Sequence, residues 1–236
     1  MREAGIVTRE TLEVVRKVVK PGVTTLDLEK AAEAHLRSRG AKAAFKGYHG
    51  YPCVLCTSVN QEVVHGIPSA KRVLREGEIV SVDCGAIVDG YVGDSAITIP
   101  VGKIDAETAR LLQVTEASLY AAIEVVRPGA TLGDVGWAVQ KVVEEAGFSV
   151  VRDFVGHGIG SQMHEDPQVP NFGTAGRGMK LREGMVIAIE PMVNAGGYDV
   201  RVLKDGWTAV TVDGKMSAHF EHTVAVTATG ARILTE

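Results

Sequence analysis

The chain has 236 residues, 45% of them hydrophobic and 23% charged, which is enough apolar material to bury a core as one large domain or two small ones. Twenty-nine acids against twenty-five bases give a formal net charge of -4, so there is neither the basic footprint of a nucleic-acid binder nor a polybasic patch for membranes. No apolar run is long enough to span a bilayer, and the charged stretch Met1 to Lys20 lacks the apolar segment of a signal peptide, so the expected location is the cytoplasm.

From the N-terminus, apolar periodicity predicts a helix over Glu10 to Val19, closed by Pro21-Gly22, and a second over Asp27 to Arg39 that ends at Gly40. Cys53-x-x-Cys56 follows, with Cys84 as the third cysteine. There is no second pair for a zinc site and no helix-opening context for a redox dithiol, so the thiols read as structural in a reducing compartment. Ile79-Val80-Ser81-Val82-Asp83 is a predicted strand, and Asp89-Gly90, flanked by Val88 and Tyr91, a two-residue hairpin turn. That turn sets Asp83 opposite Ala96 and makes Asp94 its diagonal neighbour on the same face. The order then recurs: a helix over Ala106 to Val126, Pro128-Gly129, a helix over Asp134 to Ala146, and a strand over Val186-Ile187-Ala188-Ile189-Glu190. His157 falls in the glycine-rich loop Gly156-His157-Gly158-Ile159-Gly160, and a last strand over His219 to Val226 carries Glu221.

The recurrence keeps one register. Val19-Lys20-Pro21-Gly22 returns as Val126-Arg127-Pro128-Gly129, 107 positions later, and the same offset links Leu74-Arg75-Glu76-Gly77 to Leu181-Arg182-Glu183-Gly184. Two α+β halves with no linker between them, about 1–103 and 104–236, imply a single pseudo-symmetric domain. Its helices lie on a central curved antiparallel sheet, and a ligand site falls between the halves. The offset also carries Asp83 onto Glu190. Each ends an apolar strand, where a charge is costly unless it is paired or binds metal. Asp94 and Glu221 follow these acids at intervals of 11 and 31 residues, and the difference of 20 is even, compatible with a preserved face. Carboxylates placed so closely repel unless a proton or a metal intervenes. With them, His157 becomes the expected nitrogen ligand. An oxygen-rich set with one imidazole suits divalent Co, Mn, Fe or Zn, and four carboxylates suffice to bridge two ions.

These stretches, together with Tyr48-His49-Gly50-Tyr51-Pro52, Cys56-Thr57-Ser58-Val59-Asn60, His65-Gly66-Ile67-Pro68, His164-Glu165 and Asp205-Gly206-Trp207-Thr208, closely resemble type I methionine aminopeptidases of the creatinase-like pita-bread fold. The resemblance covers nearly the whole chain. It implies metal-dependent removal of the initiator methionine from nascent proteins and peptides, with a small second residue preferred. A water or hydroxide shared by two divalent ions would attack the methionine carbonyl. By the same resemblance Asp83 would hold one ion, Asp94 and Glu221 would bridge both, and His157 and Glu190 would complete the second, with Glu190 also shuttling the proton. His164 would donate to the carbonyl oxygen, and His65 would contact the scissile amide or the leaving nitrogen. Phe45, Tyr48, Tyr51, Cys56, Met163 and Trp207 would line the methionine pocket, where a thioether sits well against aromatic and thiol groups.

The implied setting is a monomer acting on nascent N-termini near the ribosome, with no DNA and no membrane. Met163 stands where the family commonly has an aromatic residue, and Asn171-Phe172 where it commonly has His-Tyr, which changes the expected pocket shape. The chain begins inside what resembles the family's first helix, without a zinc-binding or basic extension. The rivals are an X-Pro peptidase of the same fold, which usually carries a large extra N-terminal domain, and a metal-free binding module. Such modules have lost ligands, whereas all five are present here.

Overall fold

Two helix pairs are each joined by a Pro-Gly turn: α1 (Arg2–Val18) with α2 (Thr25–Ser38), and α3 (Ala106–Val125) with α4 (Leu132–Glu145), in a computed structural model that describes residues 1–236. Thr24 and Thr131 cap the second helix of each pair. Each threonine side chain accepts the amide of Asp27 or Asp134, and each aspartate accepts the threonine amide in return. Such a reciprocal cap stabilises a helix start by about 0.5–2 kcal/mol. The helices therefore begin ahead of the expected Asp27 and Asp134, which occupy the third helical position. The first helix also starts earlier than expected, at Arg2 and not Glu10. Ala4, Val7, Thr8, Leu12 and Val15 form its buried stripe, and Gly5, a poor helix former, conceals that stripe in the sequence.

Fifteen strands complete the chain. The first half holds β1 (Lys42–Ala43), β2 (Leu55–Val59), β3 (Glu62–Val64), β4 (Ile79–Val88) and β5 (Tyr91–Pro100). The second holds β6 (Ser149–Val150), β7 (Gly156–Gly158), β8 (Glu165–Val169), β9 (Val186–Ile189), β10 (Met192–Asn194), β11 (Val200–Val202), β12 (Ala209–Thr211), β13 (Ser217–His219), β14 (Glu221–Thr227) and β15 (Gly230–Ile233). The main sheet runs β1-β4-β5-β14-β9-β7-β8, with β2 added to β4 and β15 to β14, all antiparallel.

Strand alternation separates the two faces of this curled sheet. Val80, Val82, Cys84 and Ala86 of β4 enter the core beneath α1 and α2. Ile187, Ile189, Val224 and Val226 enter the core beneath α3 and α4, and Ile97 packs against both cores. The helices thus cover one face, giving the expected α+β pita-bread architecture, and the intervening residues Asp83, Asp94, Glu221 and Thr223 project from the other. Close approach explains two glycines here: a Cβ at Gly93 would run into the backbone at Gly5 of α1, and one at Gly5 into Leu234.

The offset of 107 reappears as equivalent bonds. Gly22 donates to the Leu74 carbonyl (2.8 Å) and Gly129 to that of Leu181 (2.9 Å), while Thr24 bridges to Val73 and Thr131 to Lys180. Three local expectations change. The strand expected over His219 to Val226 divides at Phe220 into β13 and β14, because β13 pairs with β10 and β14 with β5 and β9. The strand expected to end at Glu190 ends at Ile189. The loop around His157 is a short strand, β7, held between β8 and β9. The extra residues of the second half fold largely as β11 and β12, which join β3 in a small sheet. All three cysteines are free, and no helix is long and apolar enough to cross a membrane.

Candidate metal centre

Strand register alone aligns the acids. Asp83 pairs with Ala96 and Ala96 with Glu221, so these residues form one row across β4, β5 and β14 on the face away from the helices. Asp94 pairs with Gly85, two residues from that row and diagonal to Asp83. The Asp89-Gly90 turn enforces this register, with φ of 49° and 81° at its two residues. Glu190 follows Ile189, the partner of His222, and the same register continued by one residue sets it across from Glu221. Glu221 therefore lies opposite its partner acid, whereas Asp94 lies diagonal to its own. His157 pairs with Ala188 and completes the group. Its flanking glycines are required by close packing: a Cβ at Gly156 would meet the carbonyl of Ala188, and one at Gly158 that of Asp166.

One donor atom each from Asp94, His157 and Glu221 lies within 4.8 Å of the others, and all three residues are buried. His157 Nε2 is 3.8 Å from Asp94 Oδ2 and 3.6 Å from Glu190 Oε1. Its Nδ1 is 2.9 Å from the Gly158 carbonyl, which fixes Nδ1–H as donor and leaves the Nε2 lone pair facing the acids. Burial is the main electrostatic influence. It pushes Asp83 up to about 7 against an opposing hydrogen bond from Asp94. Asp94, Glu190 and Glu221 are raised well above the ordinary carboxylate range, by burial first and then by the acids facing them. Burial, with His164 adding, lowers His157 to about 4 and keeps its imidazole neutral. Asp83 Oδ1, Asp94 Oδ1 and Glu221 Oε1 are buried without hydrogen-bond partners. Unpartnered carboxylate oxygens beside a neutral imidazole are the donor set of a divalent cation, so these residues fit one well.

The acids open into a cavity of about 220 Å³ whose fourteen lining residues are the full expected set plus His49. Phe45, Tyr51, Cys56 and Met163 form a buried apolar wall, with Tyr48 and Trp207 packed against it. Tyr51 meets Trp207 edge-on at 5.1 Å, and its hydroxyl lies 2.9 Å and 3.0 Å from the carbonyls of Leu55 and Gly66. Beneath this wall the buried Glu29 accepts the amides of Val54 (2.7 Å) and Leu55 (2.9 Å), fixing the start of β2 and hence Cys56. His164 stands at the mouth, its Nδ1 2.8 Å from the Tyr48 hydroxyl and its ring 4.3 Å from that of His157. His65, just beyond β3, holds a left-handed backbone (φ 61°), a strained state that clusters at functional sites. Burial and the neighbouring His164 lower its pKa to about 4.

Two neighbours of Glu190 lie outside the expected set. Asn171 donates from Nδ2 to the Glu190 carbonyl (3.0 Å), and His219 places Nε2 3.7 Å from Glu190 Oε2. His219 has a local sequence signal, since it is two residues from Glu221 and shares its parity. Asn171 is marked in the sequence only as a departure from the family pattern, which does not point to Glu190.

The sequence profile of metallopeptidase family M24 matches residues 1–228. The chain belongs to this family. Methionine aminopeptidase of Clostridium acetobutylicum is 52% identical over 235 residues, covering 100% of this chain and 94% of that protein. Methionine aminopeptidase 1 of Bacillus subtilis is also 52% identical over 235 residues, with the same coverage. The crystal structure of methionine aminopeptidase from Thermotoga maritima superposes with a TM-score of 0.99 at 51% identity, covering 100% of this chain and 95% of that one. The M24 fold extends to the prolidase of Pyrococcus horikoshii, with a TM-score of 0.79 at 22% identity and 60% of that chain covered, a likeness of fold alone. Membership of a metallopeptidase family agrees with the donor set, and the M24 chain depends on divalent metal.

Proposed function

We propose that the protein is a methionine aminopeptidase: it hydrolyses the peptide bond after an N-terminal methionine, preferring a small second residue. The observation that carries this reading is a single cavity in which five metal-type donors share space with an apolar wall of Phe45, Tyr51, Cys56 and Met163. Relatives at about half identity over the full chain, named for the same activity, support it.

Asp83, Asp94, His157, Glu190 and Glu221 would hold two divalent ions, with Asp94 and Glu221 shared as the family resemblance implies. Bound ions supply Lewis acidity at the scissile carbonyl and a nucleophile at neutral pH by drawing the pKa of water from 15.7 towards about 7. The rest falls to the chain itself. The apolar wall takes the methionine side chain and excludes water. His164, its Nδ1 2.8 Å from the Tyr48 hydroxyl, would accept from that hydroxyl and present Nε2–H to the carbonyl oxygen as negative charge develops. His65, neutral through burial, would hydrogen-bond the scissile amide or the departing nitrogen. Glu190 holds the proton in transit on a carboxyl that burial has already made basic.

The chain acts as a single domain of two related halves, about 1–103 and 104–236, and as a monomer in the cytoplasm on chains emerging near the ribosome. The test compares Met-Ala-Ser with an Ala-Pro peptide, using protein loaded with Mn²⁺ or Co²⁺ and protein stripped by chelator. Release of methionine from the first peptide, abolished by the chelator, is expected. Cleavage of the X-Pro peptide alone transfers the protein to the prolidase activity, and no metal uptake with no cleavage leaves a binding module.

A further inference from the structure

Glu190 has to do two things in the proposed reaction: coordinate metal through one oxygen and present the other to a travelling proton. Its surroundings divide along the same line. Oε1 faces His157 Nε2 at 3.6 Å and lies toward the metal ligands, whereas Oε2 faces His219 Nε2 at 3.7 Å. The backbone is fixed separately, by the amide of Asn171 on the Glu190 carbonyl.

His219 is itself held rigidly. Thr98 Oγ1 donates to its carbonyl (2.8 Å) and accepts from its amide (2.9 Å), and Ser81 Oγ lies 2.9 Å from the same threonine oxygen. On the opposite side, His219 pairs with Met192 of β10, the strand that begins two residues after Glu190. The imidazole is only 2% exposed, and its Nε2 has no hydrogen-bond partner. An unpaired buried polar group costs about 1–3 kcal/mol, so an imidazole whose Nε2 is kept in that state for packing alone would be a poor choice against leucine or methionine. The gap of 3.7 Å is a few tenths of an ångström beyond hydrogen-bond range, within reach of a small rotation of either side chain.

We infer that His219 is a positioning residue for Glu190, donating Nε2–H to Oε2 so that Oε1 is aimed at the metal and Oε2 at the path of the proton. The inference rests on the methionine aminopeptidase reading for its kinetic arm and stands without it for its metal-binding arm. His219 is a positioning residue and not a catalytic one, since its neighbour on this side is the carboxylate and not the substrate. The fold clamps the backbone of His219 through Thr98, a residue of the first half, although Glu190 belongs to the second. The orientation of the carboxylate therefore depends on the two halves being correctly docked.

The test uses the full chain with His219→Leu, which keeps bulk without a donor, and His219→Gln, which keeps an N–H near the same place. Mn²⁺ affinity is measured by calorimetric titration of chelator-stripped protein, and kcat and KM are measured on Met-Ala-Ser. Removing an outer partner of a metal ligand typically costs 10–100-fold in affinity or activity. His219→Leu should weaken Mn²⁺ binding and lower kcat by about that factor with KM within about twofold, while His219→Gln should recover both to within about threefold of wild type. Unchanged affinity and kcat in His219→Leu overturns the inference, and so does equal damage in both variants, which marks a packing role.

If His219→Leu does not fold, ¹⁵N-histidine spectra of the metal-loaded wild type decide. An Nε2–H tautomer at His219 is expected, and an Nδ1–H tautomer overturns the assignment. Wild-type protein that binds Mn²⁺ and releases no methionine refutes the proposed activity and leaves the binding comparison intact.

Discussion

Replacing Asp94 by Asn should make the metal-free protein more stable at pH 8, although it removes a proposed metal ligand. Burial raises Asp83 from 3.8 to about 7, and it raises Asp94, Glu190 and Glu221 in the same direction. A carboxyl whose folded pKa lies above its unfolded value favours folding fully below about pH 4, and that contribution is lost as pH rises through 7. At 1.36 kcal/mol per unit, ionising Asp83 in the folded chain at pH 8 costs about 4 kcal/mol through burial, and Asp94 adds a cost of its own through burial and the facing Glu221 and Asp83. Asn at position 94 removes one of those acids and adds an N–H donor. The expected gain is about 1–3 kcal/mol at pH 8, falling to near zero at pH 5, where the wild-type carboxyls already hold protons. His65 and His157 shift the other way, losing stability as pH falls from 6.5 towards 4, which lies below the pH 8 at which the gain is read. Urea melts in chelator at pH 5, 6, 7 and 8 measure this directly. Mn²⁺ at a hundred times its Kd should then stabilise wild type by about 2.7 kcal/mol and the variant far less. A variant less stable than wild type at pH 8 in chelator would show that the acids are already compensated within the fold, and would refute the electrostatic argument for a metal.

Three further substitutions separate the parts of the site. His164→Ala should keep its metal on dialysis and lose about 10²-fold in kcat, because the hydrogen bond it would make to the carbonyl oxygen strengthens only as charge develops there; loss of metal would place His164 among the ligands. Glu29→Ala strips two buried amides of their acceptor, and should cost about 2–4 kcal/mol in a urea melt while raising KM for Met-Ala-Ser through movement of the pocket wall; an unchanged KM would detach the wall from Glu29. Gly158→Ala drives a Cβ against the Asp166 carbonyl and should displace His157, weakening Mn²⁺ binding tenfold or more by calorimetry; wild-type affinity would show that β7 can shift without moving its imidazole.

What could be read from the sequence depended on how local the determinants were. The Asp89-Gly90 turn fixes register by itself, so the diagonal relation of Asp83 and Asp94 was legible to the residue. The repeat was legible because equivalent turns need equivalent glycines, as at Gly22 and Gly129, both with φ of 89°. Glu221 was reachable as an acid on a strand, but its place across from Ala96 is set by pairing between β5 and β14, strands far apart in the chain. Gly5 obscured the start of α1 because its value lies in letting Leu234 and Gly93 approach, which helix propensity does not register. The break at Phe220 left no local mark, since both flanking segments have strand-like composition and only their different partners separate them. The roles of the ligand and pocket residues came from family resemblance, and the structure adds that those residues share one cavity.

The two halves of the main sheet meet along a short seam. Only Glu221–Ala96 and His222–Ser95 pair across it, reinforced by the Thr223 hydroxyl, which donates to the Asp94 carbonyl (2.7 Å) and accepts the Asp94 amide (3.0 Å). Asp83 and Asp94 approach from one side of this seam, and His157, Glu190 and Glu221 from the other. Neither side holds the whole proposed donor set, so a chain whose seam has not formed would lack the metal centre. A metal ion held between Asp94 and Glu221, as proposed, would cross-link residues remote in sequence, as a disulfide would, but reversibly and without an oxidant.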